Sequence, residues 1–285
     1  MVHMNLTVRA EELGDDLRRL REASGLSLER AGELIDASAT KMSRLENGLR
    51  EGSTEDVAAL LAIYGCVGPL RTELLTLAHE VDRRGWWQRA KPTFDERVRT
   101  LLNLERKADL IVNYECTNVP GLLQLPVYTE ALLHECELIP ADEIPHRLAV
   151  RSQRHSILLR PEPTRMLALI DEQVLRRRIG SPVTMHRQLL HLVEAAQLAN
   201  ISLRVIANSG AHAGVNGAFL LLKRESGHKV VYLENLTSSL FLEEPEEIES
   251  YEKAIRLLVR RALPEGESAE VITELAGRWE QGELA

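Results

Sequence analysis

Two sets of residues in this 285-residue chain have types and spacings that could do chemistry. The first lies between Ser38 and Arg50, where Lys41, Arg44 and Arg50 stand against a single carboxylate, Glu46. Cations grouped this closely suit the phosphates of a nucleic acid. The second set is dispersed. Asp171 and Glu172 follow the apolar run Met166–Ile170, and His212 sits in the glycine-flanked stretch Gly210-Ala-His-Ala-Gly214. Brought together, two carboxylates and an imidazole could transfer protons. A strand-end cap and an exposed loop account for the same residues without chemistry. The chain lacks G-x-S-x-G, H-E-x-x-H, G-x-x-x-x-G-K-[ST] and G-x-G-x-x-G, the motifs that would commit it to a known mechanism. His134 and Cys136 are two apart and His186 and His191 five apart, neither a persuasive zinc spacing. The expectation is therefore no catalytic residue, no metal, no cofactor and no enzyme.

The first set needs short helices to position it, and the sequence supplies them. Leu13, Leu17, Leu20 and Ala23 recur at helical spacing and Gly25 ends the segment. Ser27 caps a second helix to about Ile35, Asp36-Ala37 turns the chain, and Ser38 caps a third through Leu45. Asn47-Gly48 stops it, since both residues tolerate the left-handed conformation of a helix end. Ser53 opens a fourth helix closed by Gly65, and Pro69 starts a fifth to about Arg84. The second and third form a helix-turn-helix. Its steep crossing needs small residues, here Ala31 and Gly32. Ile35, Met42 and Leu45 turn inward, leaving Ala39, Thr40, Ser43 and Arg44 outward on the part of a helix that fits a major groove.

The segment ending Ser43-Arg-Leu-Glu-Asn-Gly48 resembles the Cro/cI-like (Xre) helix-turn-helix family, over about residues 13–78. The resemblance implies a five-helix bundle. Leu28 replaces the family's glutamine at the start of helix two and is given no DNA role; Asp36 replaces its turn glycine. By matching, Arg44 is implied to read a guanine edge, with Thr40 and Ala39 on base edges or a thymine methyl. Ser43 joins them on the outward face. Ser27, Ser38, Lys41, Asn47 and Arg50 are implied to reach phosphates, and Arg21 and Glu46 to form a structural ion pair. A solvated bundle surface is the competing reading. Through Arg84 there are eleven Lys and Arg against fifteen Asp and Glu, a net charge of −4. Few phosphate contacts make a monomer bind weakly, and a dimer on two half-sites would compensate.

Beyond Gly85-Trp-Trp87, with its paired tryptophans as a junction plug or a pocket wall, residues 92–160 read as mostly helical. The runs 166–170, 202–206, 218–223, 229–233 and 239–242 read as strands, with helices near 183–199 and 245–263 and a hairpin turn at Gly227-His228. The chain is 44% hydrophobic and 27% charged, with a net charge of −8, the proportions of a globular protein that does not coat nucleic acid indiscriminately. Three widely spaced cysteines, Cys66, Cys116 and Cys136, and the lack of an apolar span or signal-like start point to a reduced cytoplasmic setting.

Several motifs in order are similar to the large C-terminal domain, of unknown function, of actinobacterial antitoxin-like Xre regulators. They are Tyr114-Glu115 with Val119-Pro-Gly-Leu-Leu-Gln124, Ile170-Asp-Glu-Gln-Val-Leu-Arg176, Gly210-Ala-His-Ala-Gly214, and Tyr232-Leu-Glu-Asn-Leu236 with Leu242-Glu-Glu-Pro245. Arg178, Asn235 and Ser238-Ser239 depart from the Pro and Gly expected there. The resemblance implies a transcriptional regulator paired with a small protein from a neighbouring gene. The expected fold is a mainly α five-helix bundle at 9–84 and a larger α+β domain at 88–275 with a small, mostly antiparallel sheet. The expected function is sequence-specific binding of double-stranded DNA by a homodimer whose second domain also docks that small partner. Alternatives are a small-molecule sensor acting on the helix-turn-helix, which a pocket with convergent polar groups would favour, and an enzyme fused to it.

Overall fold

The computed structural model describes residues 7–49, 53–81, 86–89, 94–236 and 238–284, with 86–89 and 94–97 as backbone alone. Arg50 and the side chains of Trp86 and Trp87 lie outside the described residues. The chain divides into two compact units. One is Met1–Gln88 with Leu240–Glu244, the other Arg89–Ser239 with Pro245–Ala285.

The first unit holds α1 (Val8–Ala23), α2 (Leu28–Glu33), α3 (Ala39–Glu46), α4 (Thr54–Ile63) and α5 (Gly68–His79). Four of them open on a hydroxyl. Thr7, Ser27, Ser38 and Ser53 accept from the backbone N–H of Ala10, Arg30, Lys41 and Asp56, each cap contributing about 1 kcal/mol. Helix α5 instead carries Pro69 in its first turn, and ends at His79 rather than near Arg84. Leu13, Leu17, Ala31, Met42, Leu45, Val57, Leu60 and Leu61 form the core. Gly32 sits where a Cβ would meet the Ala37 carbonyl oxygen at 2.4 Å, so no larger residue allows this α2–α3 crossing. Asp36 takes φ 52°, the left-handed turn its side chain tolerates. The unit also recruits a distant segment: Glu243 is buried and its Oε1 accepts from the Val8 N–H at 2.9 Å, at the positive end of α1.

The remaining elements are β1 (Trp86–Arg89), α6 (Phe94–Lys107), β2 (Leu110–Glu115), α7 (Pro126–Glu135), α8 (Ile144–His155), β3 (Arg165–Asp171), α9 (Glu172–Arg176), α10 (Pro182–Ala195), β4 (Ile201–Ile206), β5 (Phe219–Lys223), β6 (Lys229–Glu234), β7 (Ser238–Leu242), α11 (Pro245–Arg261) and α12 (Glu265–Glu280). The α+β class is as expected. The sheet is mixed: in the order β7-β6-β5-β2-β3-β4, β2–β3 and β3–β4 are parallel while β2–β5 and β5–β6 are antiparallel. Helical crossovers α7–α8 and α9–α10 separate the parallel strands, as such pairs require. The β5–β6 pair turns through residues 224–228, with Gly227 at φ 90°. Strand β1 borders β7.

Strand β2 falls inside the stretch expected to be helical. Its polar residues, Asn113 and Glu115, interrupt an otherwise short apolar run, yet it is the strand on which the sheet changes direction. Register places Asn113, Leu220 and Tyr232 side by side on one face, and Tyr114 with Phe219 and Leu169 on the other. The carboxyl ends of β2, β3, β4 and β6 share one end of the sheet with the start of β5. Ligands of open α/β sheets bind at such an end.

Candidate functional site

In α3, Met42 and Leu45 are buried in the bundle core, so the opposite side must face solvent. Thr40 and Arg44 are exposed, and Ala39 and Ser43 are half-buried beside them. Ser27 and Ser38 are exposed too. Their oxygens already accept cap hydrogen bonds, which leaves each hydroxyl proton to donate. Lys41 and Asn47 are more committed than their sequence roles imply. The Lys41 ammonium lies 2.6 Å from Asp56 Oδ2. Asn47 donates from Nδ2 to the Ser43 carbonyl at 2.6 Å and accepts at Oδ1 from Arg18 Nη2 at 2.8 Å.

Arg21 and Glu46 meet. Nε donates to Oε1 at 2.6 Å and Nη2 to Oε2 at 3.0 Å, with the two residues 8% and 1% exposed. Nη1 reaches the Leu26 carbonyl. The bond to Glu46 outweighs burial and holds the Arg21 guanidinium above its ordinary pKa. Sequence reasoning missed Arg18, whose Nε lies 3.5 Å from Glu46 Oε2. It sits one helical turn from Arg21 with the same polarity, and that spacing was the available signal.

In the larger unit, Asp171 and His212 come together at the carboxyl end of β3. His212 Nε2 is 3.3 Å from Asp171 Oδ2, and Tyr114, not singled out before, donates its hydroxyl to the same oxygen at 2.8 Å. The Gly214 N–H donates to His212 Nδ1, leaving Nε2 as the ring nitrogen that faces Asp171. Burial, then the Asp171 bond, holds the Tyr114 hydroxyl far above its usual pKa. A Cβ on Gly214 would lie 2.2 Å from the Tyr114 ring, which explains the glycine. Glu172 is not part of this group. Burial pushes its carboxyl up, but bonds from Arg176 and the Asn208 N–H outweigh that and hold it low. The Tyr114–Asp171–His212 network pins the 207–217 loop to the sheet.

On the opposite sheet face lies a cavity of about 220 Å³ lined by Asn113 and Glu115 of β2, Gln124, Arg151 and Arg154 of α8, and Tyr232 and Glu234 of β6, among others. Arg154 pairs bidentately with buried Glu105, at 2.9 and 2.7 Å. Among the described residues Arg151 bonds only the Gln124 amide oxygen, at 2.8 Å; burial, then the Arg154 charge, lowers its pKa. Glu115 has, among the same residues, only the Asn113 amide, at 3.3 Å. Burial foremost pushes its carboxyl up to about 7.

A helix-turn-helix domain family matches residues 12–74, and the domain of unknown function DUF5753 matches residues 98–274. The chain belongs to the DUF5753 family. No curated protein matches it significantly. The DUF5753 segment contains both the pinned loop and the whole cavity lining. The helix-turn-helix makes the chain a DNA-binding regulator. Among the described residues no helix is long and apolar enough to cross a membrane, and no group of three or more His, Cys, Asp or Glu could hold a metal ion.

Proposed function

We propose that this protein is a sequence-specific transcriptional regulator of the Xre type, with an antitoxin-like architecture, that reads duplex DNA through α3. The supporting observation is the division of α3 between a core side, Met42 and Leu45, and an exposed side carrying Thr40 and Arg44. Arg44 reads guanine, Thr40 and Ala39 touch neighbouring base edges beside Ser43, and Ser27, Ser38 and Arg50 hold phosphates. Lys41 reaches phosphate only by giving up Asp56, and Asn47 Oδ1 is already held by Arg18. The DUF5753 segment forms a homodimer and docks a small protein partner, in a cytoplasmic setting and without catalysis. Dimerisation follows from the bundle's net negative charge, because a monomer with few phosphate contacts binds weakly and linked half-sites gain ~10²–10⁴ in avidity.

Sedimentation of the full chain tests the dimer. A monomer at micromolar concentration contradicts it. Enrichment of a random duplex library tests the DNA reading, and a two-fold related pair of half-sites is the expected product.

A further inference from the structure

We propose that the cavity beside β2 is a binding site for a free amino acid or a similarly small amino-carboxylate, its carboxylate on Arg151 and its amine on Glu115. The argument starts from the cost of burying charge. Arg151, Arg154 and Glu115 are each half-buried, and an ionised group drawn partly out of water without a partner is costly, so such groups are normally paired. Arg154 obeys this through Glu105. Arg151, one turn earlier on α8, has no carboxylate partner among the described residues, only the Gln124 amide. Glu115 forms no ion pair among the described residues and accepts there only from the Asn113 amide. These opposite charges line one cavity without forming an ion pair. A molecule carrying both an anion and a donor would satisfy both.

The cavity also selects the class. One uncommitted guanidinium offers its fork to a single planar carboxylate. Phosphate would meet the carboxyls of Glu115 and Glu234, with Arg154 already neutralised. The volume, about 220 Å³, is below the roughly 300–1,000 Å³ of drug-sized sites and suits a molecule of amino-acid size. The position, at the carboxyl ends of β2 and β6, is where such sheets bind ligands.

The proposal goes beyond the DNA-binding reading, and its test uses the full chain without DNA, so either can fail alone. Calorimetry and thermal shift are run with the standard amino acids individually, with succinate and inorganic phosphate as probes lacking the amine. At least one amino acid is expected to bind below about 1 mM and raise the melting point. Arg151→Met should weaken that binding roughly tenfold or more, the scale of a charge-assisted hydrogen bond. Its ligand-free melting point should be unchanged or higher, because Thr129 still donates to the Gln124 amide oxygen. Glu115→Gln, nearly isosteric, should weaken the same amino acid. The proposal is overturned if no amino acid binds, if only succinate or phosphate binds, or if both variants bind as well as the wild type. A lowered ligand-free melting point for Arg151→Met would also overturn it, by making Arg151 a structural residue.

Discussion

The bundle and the DUF5753 domain treat charge drawn out of water in opposite ways. In the bundle, Glu46 gathers Arg21 in a two-point bond and Arg18 beside it, so the carboxylate between α1 and α3 is fully matched. In the larger domain, Arg154 is matched to Glu105 while Arg151, on the same helix, faces a cavity with an amide for company. The contrast separates two uses of an arginine. A paired charge joins elements and must stay; an unpaired one carries a cost that only a further molecule relieves.

The comparison breaks first at Glu46. Glu46→Ala leaves the buried Arg21 guanidinium without its carboxylate and should cost about 3–5 kcal/mol, read by chemical denaturation of the full chain as a destabilised bundle transition. An unaltered transition would mean that the ion pair carries no structural weight. The matched network of the larger domain is next. In Gly214→Ala the new methyl collides with the Tyr114 ring, and a loss of about 3 kcal/mol, the upper end of over-packing, is expected. Wild-type stability there would show that the loop relaxes away from the ring.

The unmatched carboxyl sharpens the contrast through pH. Glu115 is raised from the ordinary 4.5 to about 7, so the folded state holds a proton that the unfolded chain has lost. Its contribution is therefore intact below the ordinary value and lost as pH climbs through 7. Glu115→Gln removes the dependence and should be more stable than wild type at pH 8 by on the order of 2 kcal/mol, with little difference at pH 4. Equal stabilities at both pH values would place Glu115 in an ordinary, solvated setting. The smallest effect belongs to Lys41. Its pair with Asp56 is about a quarter exposed at both ends, so Lys41→Ala should cost under about 1 kcal/mol of stability. If Lys41 leaves Asp56 for phosphate, the variant's salt slope on DNA should also fall by about one ion.

The bundle was legible because its signals are local. Hydroxyl caps lie three residues from the N–H groups they serve, Gly32 and Asp36 sit in the turn they permit, and Met42 and Leu45 repeat at helical spacing. What escaped was long-range. Nothing near Val8 announces that Glu243, more than two hundred residues on, caps α1, so a bundle cut at residue 84 would lose that contact. Glu243, the first of the acidic residues that run into α11, is itself buried. Strand β2 was hidden by Asn113 and Glu115, the polar residues that line the cavity. Asp171 and His212 were singled out, but Tyr114, which completes their network, comes from a neighbouring strand that only the sheet register brings alongside. Arg151 shares α8 with Arg147 and Arg154, and only the fold shows that among the described residues it alone of the three has no carboxylate partner.

The central claim is that α3 reads bases, and Arg44 tests it most directly. The full-length protein is used to enrich a duplex from a random library, and wild type and Arg44→Ala are titrated against that duplex and a scrambled one at fixed salt. The account predicts a loss of about 1–3 kcal/mol on the selected duplex, relaxed preference at one base pair per half-site, and little change on scrambled DNA. Equal losses on both duplexes would contradict it, reducing Arg44 to a phosphate contact.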